Sequence, residues 1–215
     1  MNVKLIGYSQ GLGGNNLLED IAYIARVSNP SNQNNTATSE KLVRYLMKHK
    51  HWSPFEMVSV CMEIETTRDI SKQILRHRSF SFQEFSQRYA EPDDLGNFVL
   101  REARMQDEKN RQNSIECDNS QTAAFWENSQ RNIISAARMA YDHAIKMGIA
   151  KEQARAILPE GCTPTRMYMN GTLRSWLHYI EIRSGVETQK EHREIALACA
   201  EELKGIFPMV SEFTS

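Results

Sequence analysis

The residues best suited to chemistry lie in one short stretch from Arg76 to Tyr89, which reads Arg-His-Arg-Ser-Phe-Ser-Phe-Gln-Glu-Phe-Ser-Gln-Arg-Tyr. It holds three arginines, a histidine, a glutamate and three serines. A guanidinium keeps its charge and matches phosphate or carboxylate oxygens through a pair of parallel hydrogen bonds. Arg76 and Arg78 therefore predict an anion clamp, and Ser86 with Arg88 predicts a second clamp a few ångströms further on.

An arginine-rich segment can also be an ordinary solvated helix face. Aromatic residues alternate with the polar groups of this stretch, at Phe80, Phe82, Phe85 and Tyr89. Full solvation would expose all of these rings to water. We therefore expect part of the stretch to be buried, with its polar atoms paired.

Several short motifs of the chain resemble those of one enzyme family, the flavin-dependent thymidylate synthases. The family signature is similar to Arg-His-Arg, seven further residues and Ser-x-Arg-Tyr, as found from Arg76 to Tyr89. The other matching motifs are Ala25-Arg26-Val27-Ser28, the run from His51 to Glu56, the Ala-Arg-x-x-Leu-Pro of Ala154 to Pro159, and Leu173-Arg174-Ser175 through Arg183. The similarity spans residues 20 to 195.

The resemblance implies a reaction and an assembly. A one-carbon unit passes from methylenetetrahydrofolate to C5 of dUMP, and a hydride from FAD, reduced by NADPH, completes the methyl group of dTMP. The length and the hydrophobic content favour one domain over residues 1–215 above two small ones, and the elements along the chain predict a helix-rich α+β fold with a small, mostly antiparallel sheet. The resemblance further implies a homotetramer whose active sites are shared between subunits.

Matched position by position, the resemblance assigns three sets of site residues. The positions matched to FAD are Ser28, Ser53, Arg76, His77, Arg78, Glu84, Thr172 and His178. The positions matched to dUMP are Gln73, Arg76, Glu84, Phe85, Ser86, Gln87, Arg88, Arg155 and Arg183. His51 matches a histidine at the edge shared by flavin and folate. Thr172 and His178 are counted back from Arg183 and stand where the family often has asparagines.

Arg183 is the residue that the resemblance makes catalytic. A guanidinium beside the pyrimidine stabilises negative charge on N3 and the adjoining carbonyl as C5 becomes nucleophilic. None of the cysteines at 61, 117, 162 and 199 has a base next to it in sequence, so we expect no thiol nucleophile. Ser86 as a nucleophile is an alternative, but no histidine lies near it in sequence, and we assign it to binding.

The chain also contains histidines and glycines that resemble parts of metal and dinucleotide motifs. His49, His51 and His77 are the candidate metal ligands. Zinc needs three or four ligands with supporting spacing, and a His-x-His pair at a helix end cannot turn both rings to one face, so we expect no metal. The glycines from 11 to 14 lack the spacing of a Rossmann fingerprint and predict a turn. His143 and His192 are predicted to lie at the surface.

Composition limits the partners of the chain. The 215 residues are 40% hydrophobic and carry a net charge of −1, so no overall field draws them to nucleic acid or to a membrane. Two other functions stay open: a single-strand binding platform using Arg76, Arg78, Arg88, Arg101, Arg104 and Arg111, and a metal-dependent nucleotide hydrolase. Without a signal-like segment or a long apolar run, we expect a cytoplasmic protein, or one in the host cytoplasm if the source is viral.

Periodicity predicts the elements that must position these residues. Strands are expected at 3–8, 57–66 and 165–169, with a short one at 98–101 inside an irregular excursion from 89 to 119. Helices are expected at 17–27, 39–48, 68–75, 120–147, 150–158, 173–183 and 189–207. The Arg-His-Arg triplet then falls at the end of the helix 68–75.

Overall fold

The computed structural model describes residues 1–214, leaving aside the side chains of residues 92 and 93. The strands are β1 (Asn2–Tyr8), β2 (Ser59–Thr67), β3 (Phe80–Glu84), β4 (Arg104–Gln106), β5 (Ser114–Glu116) and β6 (Pro164–Thr172). The helices are α1 (Leu17–Ala25), α2 (Ser39–Lys48), α3 (Arg68–Ile74), α4 (Ser120–Lys146), α5 (Lys151–Ala154), α6 (Leu173–Arg183) and α7 (Lys190–Lys204). Short 3₁₀ helices include Ser53–Glu56 and Arg155–Ile157.

One antiparallel sheet forms the centre of the fold, with the strand order β1-β2-β6-β3. Val60, Met62 and Ile64 alternate along β2 and are fully buried, as their period of two predicts. Helix α7 packs against β1, α3 and α6. The expected helix-rich α+β fold with a small antiparallel sheet is confirmed.

The direct passage from β6 into α6 fixes the direction of a helix that carries site residues. Thr172 is the N-cap of α6, and its Oγ1 accepts from the backbone N–H of Ser175 at 3.3 Å. Trp176, Tyr179 and Ile180 anchor the buried face of the helix. The residues on its other face are thereby held rigidly.

Strand β3 was missed by the sequence analysis, and it changes the geometry of the arginine-rich stretch. Its residues pair with Met167 to Gly171 of β6. A Cβ at Gly171 would collide with the ring of Phe80, so the glycine permits this close approach. Five extended residues span about 16 Å, so the two predicted clamps lie at opposite ends of β3 and not a few ångströms apart.

The predicted strand at 98–101 was wrong. The backbone N–H of Val99 donates to the carbonyl of Cys162 at 2.8 Å, and Gln130 bonds both backbone groups of Arg101 at 2.8 and 2.9 Å. The segment therefore satisfies its polar groups through a loop and a side chain instead of a ladder. The strands of this region are β4 and β5, which form a separate hairpin.

The predicted helices are confirmed to within three residues at either end, except that the helix at 150–158 divides into α5 and the 3₁₀ helix Arg155–Ile157. Helix α4 is the longest, with 27 residues, of which Gln130 and Tyr141 are buried. In the described part of the chain, no helix has both the length and the apolar character needed to cross a membrane.

Candidate active site

The Arg-His-Arg triplet forms the turn between α3 and β3, as its predicted place at a helix end required. His77 is half-buried, and Nε of Arg183 donates to its Nε2 at 3.0 Å. A guanidinium only donates, so His77 accepts at Nε2 and carries its proton on Nδ1. Burial first, and then the nearby Arg183, His178 and Arg76, lower the pKa of His77 to about 4. His77 is therefore neutral at physiological pH.

A cavity of about 760 Å³ opens beside this turn. Its lining comprises Lys50, Trp52, Glu56, Ser79, Thr172, Arg174, Ser175, His178, Glu181 and Phe213. It brings Thr172 and His178 together with the neighbours in sequence of two other predicted FAD residues, Arg78 and Ser53. The carboxylate of Glu56 is neutralised by an ion pair with Arg174.

The charges of the turn and of the cavity wall are mainly positive, with Glu181 as the second carboxylate of the wall beside Glu56. Arg76 and Arg78 are exposed, and their side chains form no hydrogen bond or ion pair with any described residue. Lys50, on the cavity wall, has no carboxylate partner within the described residues either. Unpaired guanidinium groups are suited to a diphosphate. We therefore regard the residues present as compatible with bound FAD.

A second, smaller cavity of about 290 Å³ lies near the other end of β3. Its lining includes Gln87 and Arg155, the cations Arg68 and Lys72, and the carboxylate of Glu160, which forms an ion pair with Lys72. Gln87 is 4% exposed, and its Nε2 has no hydrogen-bond partner within the part of the chain that the structure describes. An unsatisfied buried N–H among cations is suited to an anionic oxygen.

Arg88 and Arg155 meet at Glu152, at the start of α5. Nη2 of Arg88 lies 3.4 Å from Oε2 of Glu152, and Nε of Arg155 donates to the backbone carbonyl of Glu152 at 3.3 Å. The ion pair of Arg88 is exposed and therefore weak, so an incoming phosphate can replace the carboxylate at little cost. The two arginines predicted to bind dUMP are thus close together.

Glu84 already has partners within the chain. Its Oε1 accepts from Ser71 Oγ at 2.8 Å and from Thr165 Oγ1 at 2.9 Å, and Arg68 Nη1 lies 3.5 Å away. This carboxylate therefore ties β3 to α3 and β6. A role in ligand binding stays a prediction, and the partners of Oε1 leave Oε2 for it.

Comparisons with known proteins decide which family this site belongs to. Residues 7–209 match the family model described as thymidylate synthase complementing protein. A probable flavin-dependent thymidylate synthase of Paramecium bursaria Chlorella virus 1 is 45% identical over 214 residues, covering 99% of this chain and 98% of the viral protein. The chain belongs to the flavin-dependent thymidylate synthase family. A Synechocystis member of the family is 48% identical over 191 residues, covering 89% of this chain and 86% of that protein.

A solved structure shares the fold of this family member. It is a UMP/dUMP methylase from Streptomyces cacaoi bound with 5-Br dUMP, with a TM-score of 0.78 and 24% identity. The match covers 99% of this chain and 93% of the other. At this identity the likeness supports the fold alone.

Three of the four cysteines of this thymidylate synthase family member have thiols that burial makes poorer nucleophiles. Burial raises the pKa of the Cys61, Cys162 and Cys199 thiols, and Cys199 is completely buried. A protonated, enclosed thiol does not add to a pyrimidine. The expectation that no thiol acts as the nucleophile stays a prediction.

Four of the predicted site residues line a cavity, namely Thr172 and His178 in the larger one and Gln87 and Arg155 in the smaller one. Ser28 and Ser53 are exposed and line neither one. His51 is exposed and lies near Tyr45 and His49, with ring centroids 6.2 and 6.1 Å away. Their roles in this family member therefore stay predictions.

Arg26, the arginine of Ala-Arg-Val-Ser, was missed as a structural residue. It is buried, bonds the carbonyl of Asn35, and donates through Nη2 to Thr38 Oγ1 at 2.8 Å. It thereby fixes the loop between α1 and α2, which carries Ser28. Its position one residue after the apolar helix 17–25 gave no signal of this contact.

The prediction that His192 lies at the surface was wrong. Its ring is fully buried, with Nε2 3.1 Å from the hydroxyl of Tyr179 and Nδ1 3.3 Å from Oε1 of Gln73. A signal was present in the sequence, because His192 stands three and seven residues before the buried Ile195 and Cys199. The prediction that His143 is exposed was confirmed.

Proposed function

We propose that this chain methylates dUMP to dTMP, taking the one-carbon unit from methylenetetrahydrofolate and the hydride from FAD that NADPH has reduced. The observation that carries the proposal is the contact of Arg183 with a neutral His77 in the turn that holds Arg76 and Arg78. It combines a fixed cation with two uncompensated ones in a turn whose next residue, Ser79, lines the larger cavity. The names of the relatives support the same reaction.

Four groups of the chain would hold the flavin. Arg76 and Arg78 would bind its diphosphate, while Thr172 and His178 would contact it from the cavity wall. FAD, when bound and reduced, supplies the hydride for the methyl group. The protein contributes position and electrostatics. His77 remains neutral and orients Arg183 without adding a charge of its own.

The nucleotide would be held at both of its ends. Its phosphate would be bound by Ser86, Gln87, Arg88 and Arg155 around the smaller cavity. Gln73, Arg76, Glu84, Phe85 and Arg183 are the remaining residues assigned to dUMP. Arg183 would lie at the pyrimidine and stabilise the negative charge that develops as C5 attacks the one-carbon unit.

The distance between the two cation clusters supports sharing of sites between subunits. They are separated by the length of β3, about 16 Å, which is longer than a single nucleotide can bridge with tight contacts at both ends. If the phosphate cluster of one chain faced the Arg183 of another, a single dUMP would contact both. The proposed homotetramer provides that arrangement.

The surface of α4 also supports self-assembly. Phe125, Ile133 and Met139 are 72%, 58% and 65% exposed on this helix. Large apolar side chains exposed along one long helix are typical of a protein–protein interface. We propose that copies of this chain meet there.

The core, the exposed rings and the cysteines support proposals on the extent of the domain, the folate site and the compartment. One hydrophobic core contains both Val3 and Val210, which supports a single domain over residues 1–215. The exposed rings of His51, His49 and Tyr45 offer a surface for the folate or flavin edge. The four cysteines are free thiols, as is common in the cytoplasm or, for a viral source, the host cytoplasm.

Two of the six arginines that a single-strand binding platform would use are already paired with carboxylates. Arg101 is paired with Asp69 at 2.9 Å, and Arg104 with Glu191 at 2.5 Å, with side-chain exposures of 13% and 16%. Neither guanidinium is free to track a phosphate backbone.

The experiment for the proposed function is a reconstituted assay. Purified protein should show flavin absorbance and should form dTMP from dUMP only when methylenetetrahydrofolate and NADPH are both present. Omission of either one is the control. Absence of bound flavin after reconstitution with FAD, or dTMP formation that does not depend on it, would overturn the proposal.

A further inference from the structure

A continuous row of hydrogen-bonded side chains runs beneath the Arg76–Arg78 turn. Gln189 Nε2 donates to Glu191 Oε2 at 2.9 Å, and Gln73 Nε2 donates to Gln189 Oε1 at 2.8 Å. Gln73 Oε1 lies 3.3 Å from His192 Nδ1, and His192 Nε2 lies 3.1 Å from the Tyr179 hydroxyl. The row connects the start of α7 with α3 and α6.

The charge of Glu191 determines which group donates and which accepts in each hydrogen bond of this row. Glu191 Oε1 lies 2.5 Å from Arg104 Nη2 and 3.1 Å from Arg101 Nη1. Burial by itself would raise its pKa, but the hydrogen bonds from Arg104 and Gln189 and the charge of Arg101 hold the pKa at about 2. Glu191 is therefore a carboxylate, and a carboxylate only accepts hydrogen bonds.

Each member of the row then has one permitted orientation. Gln189 must turn its NH₂ group to Glu191, so its carbonyl oxygen faces Gln73. Gln73 in turn donates to that oxygen, so its own Oε1 faces His192 and needs a donor. The proton of His192 must therefore lie on Nδ1. Its Nε2 is left as an acceptor for the hydroxyl of Tyr179.

The contacts of Gln73 with Gln189 and His192 leave part of its amide for a ligand. Its Oε1 is occupied by His192, while its NH₂ group uses one N–H on Gln189 and has a second N–H without a partner in the described residues. Gln73 is half-buried, and it lies between Lys72 of the smaller cavity and the Arg-His-Arg turn. At this position its amide offers the site an N–H donor, while its oxygen is turned towards His192.

We propose that His192 is a positioning residue: its Nδ1–H locks the Gln73 amide so that an N–H faces the substrate, and the site selects an acceptor oxygen of the nucleotide there. The assignment of Gln73 to dUMP rests on the proposed function. The orientation of the row does not, because it follows from Glu191. His192 also accepts from Tyr179, whose ring packs edge-on against His77 with centroids 5.0 Å apart.

Three substitutions of His192 separate this role from simple packing. His192→Phe keeps a ring and removes both nitrogens, and His192→Gln places an amide near the Nε2 position. His192→Asn keeps an N–H at the δ position. We expect His192→Phe and His192→Gln to raise the KM for dUMP about tenfold, which is the effect of losing one hydrogen bond. The kcat and the FAD content of both variants should be nearly unchanged. The KM of His192→Asn for dUMP should lie within about twofold of the wild-type value.

A second variant keeps the inference testable if His192→Phe fails to fold. Gln189 is exposed, and Gln189→Met breaks the row while leaving Glu191 with its arginines. We expect a similar rise in KM for dUMP. Because both residues act through Gln73, the double variant should be no more than about twofold worse than either single one. Fully multiplicative effects, or a KM that none of these variants changes, would overturn the inference.

The proton on His192 can be located without any assay of activity. Neutron crystallography of the deuterated wild-type protein should place deuterium on Nδ1 of His192 and none on Nε2. Deuterium on Nε2 would contradict the inference even in a fully active enzyme. If instead the wild type forms no dTMP while deuterium lies on Nδ1, the proposed function fails and the direction of the row stands.

Discussion

Nε of Arg183 donates to Nε2 of His77 at 3.0 Å, joining the last residue of α6 to a turn 106 positions earlier in the chain. The contact explains how a surface turn rich in arginine is held in one place. His77 is neutral and accepts, so it orients the guanidinium without competing for charge.

Arg183→Ala should lower kcat for dTMP formation by about 100-fold or more, because it removes a preorganised donor from the pyrimidine. Reduction of the flavin by NADPH should change far less. Rapid-reaction measurement of each half-reaction checks this. Arg193→Ala, an arginine on α7 that contacts the carbonyl of Val186, is the control. A variant with full dTMP formation would remove the polarising role.

Arg88→Ala should raise the Kd for dUMP at least about tenfold, since a charge-assisted hydrogen bond to phosphate is lost. FAD content should be unchanged. Calorimetric titration of dUMP into the FAD-loaded protein provides the measurement. Arg131→Ala removes an equally exposed arginine, paired with Glu127 on α4, and should have no effect. Equal loss of both ligands would show that Arg88 is wrongly placed.

Arg78→Ala should weaken FAD binding about tenfold, because the guanidinium has no partner within the described residues that competes with the diphosphate. Fluorescence titration of the apoprotein with FAD measures the change. Arg44→Ala, which loses exposed ion pairs with Glu40 and Glu212, serves as the control. Unchanged FAD affinity would count against a diphosphate at this turn.

Acid should destabilise the protein through its two buried or half-buried histidines. The pKa falls from 6.5 to about 3 for His192, mainly by burial and then by Arg183 and His77, and to about 4 for His77. Below pH 6.5 these two histidines bind protons in the unfolded chain but stay neutral in the folded chain. The stability that is present above pH 6.5 is therefore lost on acidification. The free energy of unfolding falls by at most about 1.4 kcal/mol per pH unit for each histidine, and by less for His77, which is partly solvated.

Urea unfolding at fixed protein concentration between about pH 7 and pH 5 measures the slope of the free energy of unfolding against pH. His192→Phe should flatten it, whereas His143→Ala, at an exposed histidine, should leave it unchanged. An identical slope in wild type and His192→Phe would mean that His192 titrates normally in the folded chain.

Gly171→Ala should destabilise the fold by about 1–3 kcal/mol, since the new Cβ collides with Phe80 and forces β3 away from β6. The free energy of unfolding in urea tests it. Gly7→Ala is the matched control, because a Cβ on that β1 glycine meets no atom within 4 Å. If both variants were equally stable, the close approach of Phe80 would not be required.

Periodic elements could be predicted from the sequence because their burial follows a simple period. The alternation of Val60, Met62 and Ile64 identified β2, and the apolar spacing of α1, α2 and α6 identified those helices. Strand β3 was missed because its outward side chains are polar and the stretch is dominated by charge. The strands β4 and β5 have three residues each, too few to show a period.

Candidate site residues could be found by motif, but their partners could not. Glu84 is bonded to Ser71 and Thr165, which lie 13 and 81 residues away, and no local pattern reports such contacts. His192 meets Gln73 across 119 residues. Tertiary contacts of this kind decide whether a polar residue faces a ligand or supports another side chain.

A crystal structure of the assembled protein with FAD and dUMP tests the central claim most directly. We predict the FAD diphosphate on Arg76 and Arg78, the dUMP phosphate on Arg88 and Arg155, and the pyrimidine against Arg183, with no sulfur atom near C6. A structure in which these arginines face bulk solvent while FAD and dUMP bind elsewhere would contradict it.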